Sequence, residues 1–222
     1  ISISFFLCAC NKKIVGSWTK PLAIPAGYDT IMVAAFTINL RAKNIFEQNI
    51  AHELMQRGIT ASRSSNVFPP NFTDYHNDKE KVLQKIRNMR TKAVLTVSII
   101  NTASENNTFL TRHEFLSDSC HDKFWDYYTA RYARLYKPLY YTTENTYYVE
   151  TNLYDLETEE LVWSATSRSY SPYKISDFAK GLAQFITVKL EKDHMIRFDR
   201  EKHGEKLTAR KRKQPVELTS SR

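Results

Sequence analysis

The strongest constraint on this chain is an alternation of short apolar runs with amphipathic stretches between residues 31 and 100. Ile31-Met-Val-Ala-Ala-Phe36 is a short, mostly apolar run that suits a central strand. Phe46, Ile50 and Leu54 then recur at i, i+4 and i+8 beside Ile45, Ala51 and Met55, which predicts a helix from Asn44 to Arg57. Asn44 followed by Glu47 mimics a capping box, and Gly58 suits the C-terminal cap. Ile59 to Ser65 reads as a weaker strand. A second helix starts near Asn77, with Glu80 three residues on and Val82, Leu83, Ile86 and Met89 along one side. Ala93 to Ile100 alternates, placing Leu95, Val97 and Ile99 on one face and Thr96 and Ser98 on the other. Strand, helix, strand, helix, strand predicts an α/β layer with at least partly parallel pairing.

The second half changes character. Thr146 to Tyr154 and Leu161 to Ser169 form two strands joined by the polar connection Asp155-Leu-Glu-Thr-Glu-Glu160, of hairpin length. Val149 and Leu153 are expected near Val162, Trp163 and Ser164, and Phe109 to Leu116 is a candidate for one more strand. Trp163, beside Tyr147 and Tyr154, is expected in the core, because large aromatics at strand positions pack against helices. A third helix opens at Ser176-Asp177 and carries Phe178, Leu182, Phe185, Ile186 and Leu190 inward. The class is α/β (α+β): a mixed sheet of about five to six strands with three main helices, in the order β-α-β-α-β-(β)-insertion-β-β-α.

Composition fits a globular domain, with 42% hydrophobic and 25% charged residues. The net charge of +8 is uneven. From Met195 onward nine Lys/Arg oppose four Asp/Glu, so residues 195–222 read as a basic tail expected to be disordered. Outside the first ten residues the chain has a single cysteine, Cys120, so the body cannot form an internal disulfide.

At the start, an apolar run ends in Leu7-Cys8-Ala9-Cys10 and gives way to Asn11-Lys12-Lys13. This resembles the end of a bacterial lipoprotein signal peptide, whose lipobox closes on an acylated cysteine, here Cys10. The resemblance implies that residues 1–9 are part of a signal peptide and that the protein is lipid-anchored in the cell envelope, facing the periplasm. Residues 10–28 then read as a linker, which as a coil would extend about 20–25 Å. The α/β domain would span residues 29–194. Four segments within it resemble a family of uncharacterised Gram-negative lipoproteins: Ile31 to Phe36, Phe46-Glu47 with Leu54 to Gly58, Ala61-Ser-Arg-Ser64, and Lys92 to Val97. The hairpin Val149-Glu-Thr-Asn-Leu-Tyr-Asp155 to Leu161-Val-Trp-Ser-Ala165 is the most specific match. More distantly, the order of elements is similar to the N-terminal domain of TolB and to lipoprotein activators of penicillin-binding proteins. The family supplies no catalytic residues.

Residues 120–145 read as a Tyr-rich insertion. Tyr127, Tyr128, Arg131, Tyr132, Tyr136, Tyr140 and Tyr141 are the candidate contact residues, since tyrosine offers rigid area with a polar tip. The competing reading is an insertion that packs its own rings against the sheet. With export implied, the partner class is an envelope protein or peptidoglycan. The alternative function is a cytosolic nucleic-acid-binding protein using Arg131, Tyr132, Arg134, Tyr136 and the basic tail. His113, Glu114, Cys120, His121 and Asp122 are metal-ligand residue types, but their spacing matches no tight zinc pair. Asp74, His76 and Asp78 suit a loop and a helix cap. No Gly-rich phosphate loop or Gly-x-Ser-x-Gly elbow occurs. Neither a metal, a cofactor nor an enzymatic activity is expected.

Overall fold

The structure is a computed structural model that describes residues 13–21, 27–37, 39–68, 78–101, 122–135, 146–170 and 174–196. Its strands are β1 Lys13–Thr19, β2 Thr30–Phe36, β3 Thr60–Arg63, β4 Ala93–Asn101, β5 Thr146–Asp155 and β6 Leu161–Tyr170. Its helices are α1 Leu40–Gln56, α2 Ser64–Val67, α3 Lys79–Arg87, α4 Phe124–Leu135 and α5 Ile175–Lys192. The strands form one mixed sheet in the order β1-β6-β5-β4-β2-β3. β2 runs parallel to β3 and β4, and the other pairs are antiparallel. The α/β class expected from the sequence is the one observed.

Two apolar layers flank the sheet. On one face α1 and α5 cover Ile31, Val33, Ala35, Leu95, Val97, Val149, Leu153 and Trp163. Phe46 of α1 meets Phe178 of α5 edge-on, with centroids 5.8 Å apart. The other face sets Met32, Ala34, Phe36, Val94 and Tyr154 against α3 and α4. β2 is thus buried on both sides, which is why its sequence lacks a polar alternate set. Trp163 is fully buried, and its indole N–H donates to Asp193 Oδ2 at 2.7 Å, tying β6 to the end of α5.

Several boundaries differ from the sequence reading. α1 starts earlier, because Asn39 rather than Asn44 is its cap and accepts from the Ala42 N–H at 3.0 Å. Gly58 follows α1 with φ of 80°, the left-handed conformation its lack of a Cβ permits. α3 is capped by Asp78, which accepts from the Lys81 N–H at 3.1 Å. In the hairpin, Leu153 faces Trp163 and Val149 faces Ser167. The Asp155 carboxylate holds the turn by accepting from the N–H groups of Glu157 and Thr158.

Two segment boundaries are corrected, and a third segment gains a structure. Lys13 to Thr19 is not linker but an edge strand, paired with β6 from Lys13↔Arg168 to Thr19↔Trp163. Residues 124–135, within the Tyr-rich insertion, form helix α4. The domain also continues past residue 194: Met195 and Ile196 are buried, and Ile196 bridges Tyr28. The candidate strand Phe109 to Leu116 and the tail beyond Ile196 lie outside the described residues.

Candidate functional site

α4 presents Phe124, Tyr127, Tyr128 and Arg131 to the sheet at i, i+3, i+4 and i+7, and all four are buried. Asp126 is exposed, and Trp125, Thr129 and Ala130 are half-buried, Trp125 stacked on Tyr128. The sheet beneath is unusually polar for an inner face. Thr96 and Ser98 of β4, Glu150 and Asn152 of β5, and Ser164 of β6 are buried there. Strand alternation puts Glu150, Asn152 and Tyr154 on this face and Val149, Thr151 and Leu153 on the other.

The polar groups form a connected cluster. The Arg131 guanidinium is paired with Glu150 Oε2 through a short contact, and both side chains are almost wholly enclosed. The Tyr127 hydroxyl donates to the same oxygen at 3.2 Å. Ser98 Oγ lies 2.8 Å from that hydroxyl. A phenol has one proton, so with Tyr127 donating to Glu150, Ser98 is the donor to Tyr127. The guanidinium also sits over the Tyr127 ring, 5.2 Å from its centroid. A second branch runs from Ser164 Oγ to Asn152 Oδ1 at 2.6 Å, while Asn152 Nδ2 reaches the Tyr154 hydroxyl at 3.5 Å.

The electrostatics hold the protons in place. Burial, then the Glu150 charge, pushes the Tyr127 phenol well above its ordinary value, and Arg131 only partly opposes this. Tyr154 is raised further by burial and by Tyr127 and Glu150. Burial disfavours the Arg131 cation, but Tyr127 and Glu150 outweigh it and raise its pKa. Both phenols therefore stay neutral and the guanidinium stays charged across the neutral range. Such a cluster fixes α4 in orientation on the sheet.

These contacts bear directly on the candidate contact residues. Tyr127 is fully enclosed, and Tyr128 and Arg131 are buried against Phe36, Trp125 and Glu150. For these three the contact-surface assignment is corrected: their side chains are occupied in packing α4 onto the sheet. The nucleic-acid reading loses Arg131 for the same reason. Tyr132 lies on α4, whereas Tyr136, Tyr140, Tyr141 and Cys10 lie outside the described residues, as do His113, Glu114, Cys120, His121, Asp74 and His76. The Asp122 carbonyl accepts from the Leu161 N–H at 2.9 Å. Among the described residues, no three His, Cys, Asp or Glu side chains come together as metal ligands.

A second buried carboxylate is Glu47, which the sequence places in a capping box with Asn44 and the structure turns to other partners. Glu47 is fully enclosed and accepts from the Ala35 N–H at 3.0 Å, Ser64 Oγ at 2.6 Å and the Ser65 N–H at 2.9 Å. β3 pairs with β2 only as far as Val33, so the Ala35 peptide lies past the end of that ladder. α1 completes it, Glu47 taking the N–H and Lys43 Nζ donating to the carbonyl at 3.3 Å. The same carboxylate accepts from the first turn of α2.

No family model and no curated protein sequence matches the chain. Solved structures similar to it include a PelC dodecamer from Paraburkholderia phytofirmans, with TM-score 0.43 and 18% identity over 84% of this chain and 99% of that one. They also include lipoprotein GNA1162 from Neisseria meningitidis, with TM-score 0.38 and 13% identity over 73% of this chain and 96% of that one.

Proposed function

We propose that the protein is a cell-envelope lipoprotein that acts as a tethered binding or assembly module without catalysis. The observation that carries this reading is Leu7-Cys8-Ala9-Cys10, set three residues before the first residue of β1. Acylation at Cys10 would attach the lipid almost directly to a sheet edge, so the anchor and the folded domain form one unit. Among the described residues no helix is long and apolar enough to cross a membrane. Several acyl chains, each methylene worth ~0.8 kcal/mol when buried, hold such a domain firmly. The partner class is an envelope protein or peptidoglycan, with contact through tyrosines of the segment that follows α4.

Metabolic labelling with a palmitate analogue tests the reading, comparing the complete gene product with its Cys10→Ser variant. Label in the parent and none in the variant is the expected result. Label that persists in the variant, or is absent from both, overturns it.

A further inference from the structure

We infer that the end of the sheet where β1 begins is a membrane-contact face, seated on an anionic lipid surface. The inference rests on the lipid-anchor reading of Cys10 and adds an orientation to it. A coil of residues 10–28 would let the domain sit at any angle, but that linker does not exist as such. Only Asn11 and Lys12 separate Cys10 from β1, so Cys10 lies within about 11 Å of Lys13 even when fully extended. A lipid at Cys10 therefore brings one particular end of the domain to the bilayer.

Strand directions define that end. β1 starts there, opposite the close of β6 at Lys13↔Arg168. β2 and β4 finish there and β5 starts there, as the pairs Ile100↔Tyr148 and Thr146↔Tyr170 show. α1 follows β2 and α5 follows β6, so the first turns of both helices lie at this end. The Phe46–Phe178 contact holds those turns side by side, and the Arg57–Glu191 pair joins the far ends of the same two helices.

What those turns display suits lipid. Leu40 and Ile175, the first residues of α1 and α5, are 50% and 37% exposed. Arg41 and Lys174 beside them are exposed, and Asp177 is the exposed acid in the first turn of α5. The two buried acids near this end, Glu47 and Glu150, are turned inward. The opposite end is different. Asp29, Asp155, Glu157, Glu159, Glu160 and Asp193 gather around the hairpin turn and the close of α5, with Lys20, Lys79, Arg87, Lys92, Lys123 and Lys189 paired among them. The end that carries the tether thus sets exposed cations beside exposed aliphatics, whereas the charges of the opposite end are laced into ion pairs. Basic residues beside short exposed aliphatics are what an anionic headgroup layer accepts.

Reactivity of two lysines on one helix tests this. Lys174 and Lys192 are both exposed and lie about 27 Å apart along α5. The full, acylated chain is reconstituted in vesicles of phosphatidylethanolamine with phosphatidylglycerol and acetylated in brief pulses, with detergent-solubilised protein as reference. Lys174 should be modified about fivefold more slowly on vesicles, the occupancy that one basic residue gains at an anionic surface, while Lys192 is unchanged. The Leu40→Asp, Ile175→Asp double variant should remain acylated and vesicle-bound but lose that protection. Acylated, vesicle-bound protein with equal reactivity at both lysines overturns the contact face and leaves the anchor standing. Protein that is neither acylated nor vesicle-bound overturns the anchor itself. Equal protection on neutral phosphatidylcholine vesicles overturns the assignment to anionic lipid.

Discussion

Arg131 of α4 and Glu150 of β5 form an ion pair inside the layer between helix and sheet, with Tyr127 hydrogen-bonded to the same carboxylate. Desolvating both groups costs several kcal/mol, so the pair adds little net stability compared with apolar replacements, while either member alone is a liability. Arg131→Met and Glu150→Leu should each destabilise by about 3–5 kcal/mol, and the double variant by much less than their sum. Urea denaturation of the four proteins measures this cycle. Additive losses would show that the two side chains are not coupled.

Glu47 offers a different case, a carboxylate whose partners include two backbone N–H groups. Glu47→Ala leaves the Ala35 N–H without its partner beyond the end of β3 and removes the acceptor at the start of α2. A loss of about 3 kcal/mol is expected, within the range for hydrogen bonds to a charged group plus an orphaned buried donor. Hydrogen exchange adds a local signature: the Ala35 and Ser65 amides should lose protection beyond the global change. Unaltered protection at both would contradict the assignment.

The parts of this fold that were legible in the sequence are those whose signal is local. Ile31 to Phe36 announced a central strand, and the stripes of α1 and α5 announced their inner faces. Lys13 to Thr19 was hidden because Gly16 and a register shift between Ile14 and Gly16 break its alternation, and because its partner is about 150 residues away. α4 was hidden for another reason. Its eye-catching composition of tyrosine and arginine drew attention from its spacing, although Phe124, Tyr127, Tyr128 and Arg131 trace a helical stripe. Even with the stripe in view, the acceptor for Arg131 could not be named without the sheet register. Glu47 was legible as a helical residue but assigned to a local capping box, whereas its partners come from β2 and α2.

The caps of α1 separate a local pattern from the real boundary in one experiment. Asn39→Ala removes the acceptor for the Ala42 N–H and should cost about 1 kcal/mol. Asn44 is exposed within the helix, so Asn44→Ala should be neutral or stabilising by up to about 0.5 kcal/mol, since alanine is the better helix former. Thermal or urea denaturation of the two variants gives opposite signs if α1 begins at Leu40. The reverse pattern would move its start to residue 45.

Tyr154 provides a pH signature that the packing alone would not. Its phenol lies between Phe124 and Tyr127, with ring centroids at 5.7 and 5.5 Å, and burial raises it far above its ordinary value of 10.0. In the unfolded chain the same phenol ionises near pH 10, while in the folded protein it keeps its proton. Above that pH the unfolded state binds fewer protons than the native state, so stability falls as pH rises; below it this group contributes no slope. One tyrosine of this kind adds about 1.4 kcal/mol of lost stability per pH unit above 10. Tyr154→Phe keeps the ring and removes the titration. Urea denaturation from pH 8 to 11.5 should therefore show a shallower alkaline decline for the variant than for the parent, with the two curves parallel below pH 9.5. Parallel curves through pH 11.5 would mean that the phenol ionises equally in both states and is not enclosed beneath α4.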